Sequence, residues 1–266
     1  VPSAHGMLDY KNLEELKNMK VWVPFHFLPG NGGLPAGENP EGSFIRKLVC
    51  KPGSYIAQDM VNECIRDQYR PYSLHRLGIT SHVFVDTWGH QGFAGVQHNI
   101  NEVDDLRGAN EKPAAGLIEK VGHYFSELTQ ENIPSLGHGQ ALSNPDLPYE
   151  SWSYVNGLGD TVVRDNPVDF LTAADELCKV YQRYLTGDPT AEVEGLSDAI
   201  KGRISVCFHE FNQPNGKERH IRWLQAIEND FFRLGAEQVN YIAKGDGSWK
   251  HQALGTMRAK GDDEYT

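Results

Sequence analysis

Residues 71–95, PYSLHRLGITSHVFVDTWGHQGFAG, constrain this chain more than any other stretch. Pro71 suits the first turn of a helix, because its missing N–H would be unpaired there anyway. At 3.6 residues per turn, Leu74, Leu77, Ile79, Val83 and Trp88 then fall around most of the cylinder. A helix so apolar on most sides belongs in the middle of a domain. One narrow stripe of it is polar. His82, Asp86 and His90 follow the spacing His-x3-Asp-x3-His, and His75 lies seven residues before His82. All four project within an arc of about 80°. A carboxylate beside Phe84, Val85 and Trp88 is costly to bury unless it is paired or bound to a cation. The stripe therefore predicts one wall of a metal site, ending near residues 89–95. The competing reading makes His82 and His90 hydrogen-bonded core histidines and Asp86 a cap for a neighbouring element.

The rest of the chain supplies further helical periodicity. Residues 54–67 place Ile56, Met60, Val61 and Cys64 on one side, and residues 114–130 read as another helix. From Asn166-Pro167 onward three more are expected, over 167–185, 196–211 and 218–243. Residues 21–53 are turn-rich, 96–112 polar and loop-like, and 258–266 read as a frayed tail. The stretch 132–155, rich in Pro, Gly and aromatics, has no clear period, and a long structured loop of that kind is usually functional or packs over a site. The sum predicts an all-α fold: a single helical domain over 1–266 around a central His/Asp-bearing helix, with at most a minor hairpin near 156–163.

Composition removes several function classes. With 25 Lys and Arg against 36 Asp and Glu, the net charge is -11, which repels phosphate backbones at long range and argues against general nucleic-acid coating. No apolar run is long enough for a transmembrane segment. Cys50, Cys64, Cys178 and Cys207 form no CxxC pair, so a thiolate zinc knuckle or redox motif is not expected. Cys64 and Cys178 read as small buried hydrophobes. There is no GxSxG elbow, and GLGDTV at 157–162 lacks the spacing of a dinucleotide loop. The first residues, VPSAHGMLDY, carry neither an initiator Met nor a signal-peptide pattern, so the chain reads as trimmed or cut from something longer, with a missing N-terminal segment as one candidate partner of the site.

One helix rarely supplies a whole metal site. His26 in VPFHFLPG precedes a glycine-rich turn, and His138 in SLGHGQA is flanked by glycines that let backbone approach closely. His5 in SAHGMLDY is a third candidate, and His123 with Glu127 makes an HxxxE pair on a solvated-looking face. The expected ligands are His82, Asp86, His90, His26, His138 and His5, around a divalent metal of zinc type, the ion that imidazole and carboxylate donors suit. Asp86 would be a ligand or bridging carboxylate. His75 would orient a ligand or act as general acid/base.

VWVPFHFLPG, RPYSLHRLGITSHVFVDTWGHQGFAG and NIPSLGHGQALSNPDLPYESWSY together resemble a family of uncharacterised bacterial proteins, helical and histidine-rich, described as a domain of unknown function. The resemblance covers roughly residues 5–254 and implies no activity. His26 with the His82-x3-Asp86 pair is distantly similar to the zinc-dependent phospholipase C and single-strand-specific nuclease superfamily. That similarity implies an all-α hydrolase with two or three zinc ions and further ligands near the start of the chain. In those proteins a His follows ten residues after the first, whereas His90 follows after eight. The expected function is a metal-dependent hydrolase of phosphoesters, phospholipase C-like or phosphodiesterase-like, acting on a small-molecule or lipid substrate through metal-activated water. The alternative is a non-catalytic helical binding or toxin/partner module with a structural metal or none. In it the aromatic loop from Tyr149 to Tyr154 would meet a protein partner.

Overall fold

The computed structural model describes residues 15–108, 135–240, 242, 246–248 and 251. Within them lie seven α-helices and a three-stranded antiparallel sheet, so the fold is mixed α/β and the all-α expectation is corrected. The helices are α1 (Glu15–Phe25), α2 (Ile45–Leu48), α3 (Tyr55–Arg66), α4 (Ser73–Gly89), α5 (Asn166–Thr186), α6 (Asp198–Glu210) and α7 (Gly216–Glu228). The strands are β1 (Val103–Gly108), β2 (Ser151–Asn156) and β3 (Thr161–Asp165), in that spatial order.

Local chemistry marks the helix ends. The Ser54 hydroxyl accepts from Ala57 N at 3.3 Å to start α3, and Asn215 does the same for Lys217 N at 2.9 Å in α7. Gly187 closes α5 in the left-handed region at φ 73°, where a side chain would be strained. The central helix is α4. Phe84 and Trp88 pack against Ala57, Val61, Cys64 and Ile65 of α3 and against Ala173, Val180 and Tyr184 of α5. Burying side chains of this size stabilises by about 1.5–3 kcal/mol each.

The sheet is small because only one of its strands carries a readable face. In β2, Trp152, Tyr154 and Asn156 are buried and alternate with half-buried Ser151, Ser153 and Val155. Trp152 and Tyr154 stack at 5.2 Å between centroids, and Phe93 stacks on Tyr154 at 5.3 Å. Phe27, Val103 and Ala141 complete this second core. In β1 the sequence VDDLRG is mostly polar, and a register shift between Asp104 and Arg107 accompanies Asp105 at φ 48°.

Several boundaries differ from the sequence reading. Helix α1 runs through Val21, Trp22 and Val23 to Phe25, inside the region read as irregular. It holds because Gly95 lets the loop after α4 close onto it: a Cβ there would lie 2.8 Å from Val23 N. The segments read as loop contain β1 and β2, and the long expected C-terminal helix ends at Glu228. The expected hairpin is present, with strands longer than anticipated around the turn at 157–160. The helix over 114–130, the tail, His5, His123 and Glu127 lie outside the described residues. All four cysteines are free, with Cys178 half-buried and the others buried. No described helix is long and apolar enough to cross a membrane.

Candidate metal centre

The His/Asp stripe of α4 divides between two groups of ligands. His26, His82 and Asp86 form one, and His90, His138 and Asp146 form the other. The two groups adjoin at the end of α4, where His90 Nδ1 lies 3.6 Å from Asp86 Oδ2 while His90 Nε2 faces Asp146. The last helical residue of α4 is Gly89, so His90 is the C-cap, with φ -99° and ψ 15°.

In the first group a single carboxylate oxygen is the hub. Asp86 Oδ2 lies 3.0 Å from His26 Nδ1 and 3.4 Å from His82 Nε2. The i, i+4 stacking of His82 and Asp86 is the expected one. His26 arrives from the turn that ends α1, where both His26 N and Phe27 N donate to Trp22 O. His26 and Asp86 are largely buried, whereas the His82 side chain is 45% exposed, so this group opens to solvent on one side.

The second group is assembled from three separate segments. His90 Nε2 lies 3.4 Å from Asp146 Oδ1, and His138 Nε2 lies 3.7 Å from Asp146 Oδ2. The two imidazole centroids are 4.6 Å apart, and Phe27 stacks on His90 at 4.9 Å. Both rings are held by backbone carbonyls: His90 Nδ1 sits 2.8 Å from His26 O, and His138 Nδ1 sits 3.1 Å from Leu142 O. A carbonyl accepts only from an N–H, so each Nδ1 carries a proton and each Nε2 faces Asp146. This is how metal-ligating histidines are commonly oriented.

Buried polar side chains fix both arms. Arg164, 3% exposed, donates to Trp88 O at 2.8 Å and Gly89 O at 3.1 Å, covering the C-terminal carbonyls of α4 beside His90. Its Nε meets Asp169 at 3.0 Å. Two residues on, Asn166 donates to Asn144 O at 2.6 Å and Leu147 O at 2.8 Å, clamping the turn that carries Asp146. His138 is placed by Gly137, at φ 54°, where a Cβ would lie 2.3 Å from Phe27 Cζ.

The electrostatics are coupled. Burial alone would lower the His90 pKa, but the bond to Asp146 and the carboxylates of Asp86 and Asp146 outweigh it and raise it above the ordinary value. Burial lowers that of His138, only partly offset by Asp146. Asp146 resists its own desolvation through His138 and His90, and its carboxyl is held at about 2.

The donors suit a zinc-type ion. Ligands about 2.1 Å from a tetrahedral zinc stand ~3.4 Å from one another. The His82–Asp86 and His90–Asp146 pairs are both at 3.4 Å, and His138–Asp146 at 3.7 Å. His26–Asp86, at 3.0 Å, is closer to a plain hydrogen bond and would open slightly around an ion.

Of the residues singled out by sequence, His26, His82, Asp86, His90 and His138 are brought together, though as two groups. His75 is exposed, two turns before His82 along α4, and belongs to neither. Asp146, Arg164 and Asn166 went unrecognised. For Asp146 a signal existed: it sits in NPDLPYE, eight residues after His138, within the loop read as functional.

The profile described as "Family of unknown function (DUF6765)" matches residues 1–265. The chain is also similar to the Synaptobrevin homolog YKT6 of Yarrowia lipolytica, 24% identical over 156 residues that span 56% of this chain and 78% of that protein. No solved structure matches.

Proposed function

The chain belongs to the DUF6765 family, whose function is unknown, and we propose that it is a metal-dependent hydrolase of phosphoester bonds. The observation that carries the reading is the open first group. Two imidazoles and one carboxylate converge, and the exposed His82 side leaves room for water and a substrate oxygen. Three protein ligands with an open position are the arrangement of catalytic rather than structural zinc. A divalent cation in such a site polarises a phosphoryl oxygen and acidifies a coordinated water.

The chain's own residues supply the rest. Asp86 concentrates negative charge at the hub and aligns both imidazoles, and it and His26 are largely buried. An anionic substrate approaching a chain of net charge -11 needs a local cation to offset repulsion, which favours a small or lipid phosphoester over a nucleic-acid polymer. The distant similarity to the zinc-dependent phospholipase C and nuclease superfamily rests on His26, His82 and Asp86 alone. It supports the same chemistry.

The test uses the full chain, stripped with chelator and reloaded with zinc, and bis-nitrophenyl phosphate as probe. Zinc-dependent hydrolysis that is abolished by Asp86→Asn supports the proposal. Tightly held zinc with no hydrolysis of phosphomonoesters or phosphodiesters overturns it and favours a non-catalytic binding module.

A further inference from the structure

We propose that His90, His138 and Asp146 hold a second divalent cation, separate from the one at Asp86, which ties the end of α4 to segment 135–147. It stands on different side chains from the proposed hydrolytic site and does not require that site to be catalytic.

Three features of the geometry carry it. First, both Nδ1 protons are committed to main-chain carbonyls, of His26 and Leu142, so neither imidazole can turn away from Asp146 without losing a bond. With neutral rings, two Nε2 lone pairs and a carboxylate converge, all acceptors, and only a proton or a cation between them relieves the repulsion. Second, Asp146 presents one oxygen to each ring, Oδ1 to His90 and Oδ2 to His138. One carboxylate thus spans both histidines, an arrangement a single hydrogen bond does not need.

Third, the group is held rigidly from behind. Arg164 grips the carbonyls beside His90, Asn166 grips the turn of Asp146, and Phe27 lies against both His90 and His138. These ligands come from chain positions 90, 138 and 146, so a cation here crosslinks segments otherwise joined by a long connection. Closing such a loop stabilises a fold by restricting its unfolded chain. The His90 side chain is 8% exposed and that of His138 15%, against 45% for His82. Asp146 itself is 56% exposed, so the second group has two enclosed imidazoles and a carboxylate through which an ion can enter from solvent.

The experiment measures zinc content by mass spectrometry, and thermal midpoint with and without chelator, for the wild-type chain, Asp146→Asn, His138→Gln and His82→Gln. The wild type should hold two equivalents, and chelation should lower its midpoint. Asp146→Asn and His138→Gln should each lose one equivalent and most of the chelator-sensitive shift, with circular dichroism unchanged. His82→Gln should lose the other equivalent and keep the shift. A wild-type chain that binds one equivalent, lost in Asp146→Asn and kept in His82→Gln, supports this inference while removing the basis of the proposed hydrolase. Zinc content unchanged in both Asp146→Asn and His138→Gln overturns the inference, whatever the catalytic outcome.

Discussion

Replacing Arg164 by alanine tests whether one buried guanidinium positions the end of the metal-bearing helix. The substitution strips a donor from Trp88 O and Gly89 O, both in buried bonds, and from the partly buried Gln91 O. Trp88 O keeps a 3.0 Å bond from Gln91 Nε2, so the buried carbonyl left without a donor is Gly89 O, at a cost of ~1–3 kcal/mol. Asp169 keeps a 3.0 Å bond from Gln91 and is 26% exposed, which limits its added cost. The guanidinium also lies 5.6 Å over the Trp152 ring, a contact worth ~0.5–1 kcal/mol. The total, about 3 kcal/mol, lies at the lower end of the ~3–5 kcal/mol typical of breaking a buried ion pair from one side. In a chain of this size that lowers the thermal midpoint by roughly 6–12 °C. Chemical denaturation in chelator isolates this effect from metal binding. Arg164→Lys should recover less than half, because one ammonium cannot reach three carbonyls in a fixed fork. Zinc affinity at His90 should also fall ~10–100-fold, as for other supports of a ligand. A loss below ~1 kcal/mol, or full recovery by lysine, refutes the reasoning.

Gly137→Ala should destabilise by about 3 kcal/mol in denaturant titrations, since it combines a strained positive φ with a Cβ driven into Phe27, and it should weaken zinc binding at His138. In chelator, stability should fall as pH drops from about 4 to 2, because the folded-state carboxyl of Asp146 is held at about 2 against an ordinary 3.8; the limb should be shallower in Asp146→Asn, with Asp175 still contributing to it. The His90 contribution has the opposite sign: its raised pKa adds stability that is full below 6.5 and lost as pH rises through the folded value, which denaturation from pH 6 upward reads. A thiol reagent should reach the half-buried Cys178 first in the native protein. Cys50, Cys64 and Cys207 should react only after unfolding, as burial of Cys50 also pushes its thiol pKa up.

The helical half of the fold was legible because its signals are local. Ser54 before a four-residue apolar period, and Pro167 at the head of another, specify α3 and α5 almost to the residue. Of the sheet only the β2–β3 hairpin was legible, and the extents of β1 and β2 were missed for different reasons. In β1, VDDLRG offers no alternation, and the irregularity at Asp105 breaks what register it has. In β2 the alternation is real, but its inner face mixes Trp152 and Tyr154 with Asn156, and serines fill much of the outer face. The stability of such a strand comes from ring stacking with Phe93, sixty residues away, which no window along the chain can see. Helix α1 was hidden likewise: Val21, Val23 and Pro24 argue against a helix, and docking against Gly95 overrides them.

The site divides along the same line. Spacing reveals which residues share a face of α4, and the expected end near 89–95 is met at Gly89, but neither shows which distant segments complete each group. At the C-cap, His90 Nδ1 still lies 3.6 Å from Asp86 Oδ2, close to the 3.4 Å of His82. Its closer partner is the carbonyl of His26, at 2.8 Å from Nδ1, and its Nε2 turns to Asp146. His26 therefore serves both groups through different atoms, its side chain meeting Asp86 while its main chain fixes the His90 ring. The turn after α1 couples the two candidate sites in a way no ligand spacing could reveal. Asp146 was passed over for the complementary reason. An aspartate in a proline-rich turn reads as surface chemistry until Asn166, from the far side of the hairpin, fixes the direction of that turn.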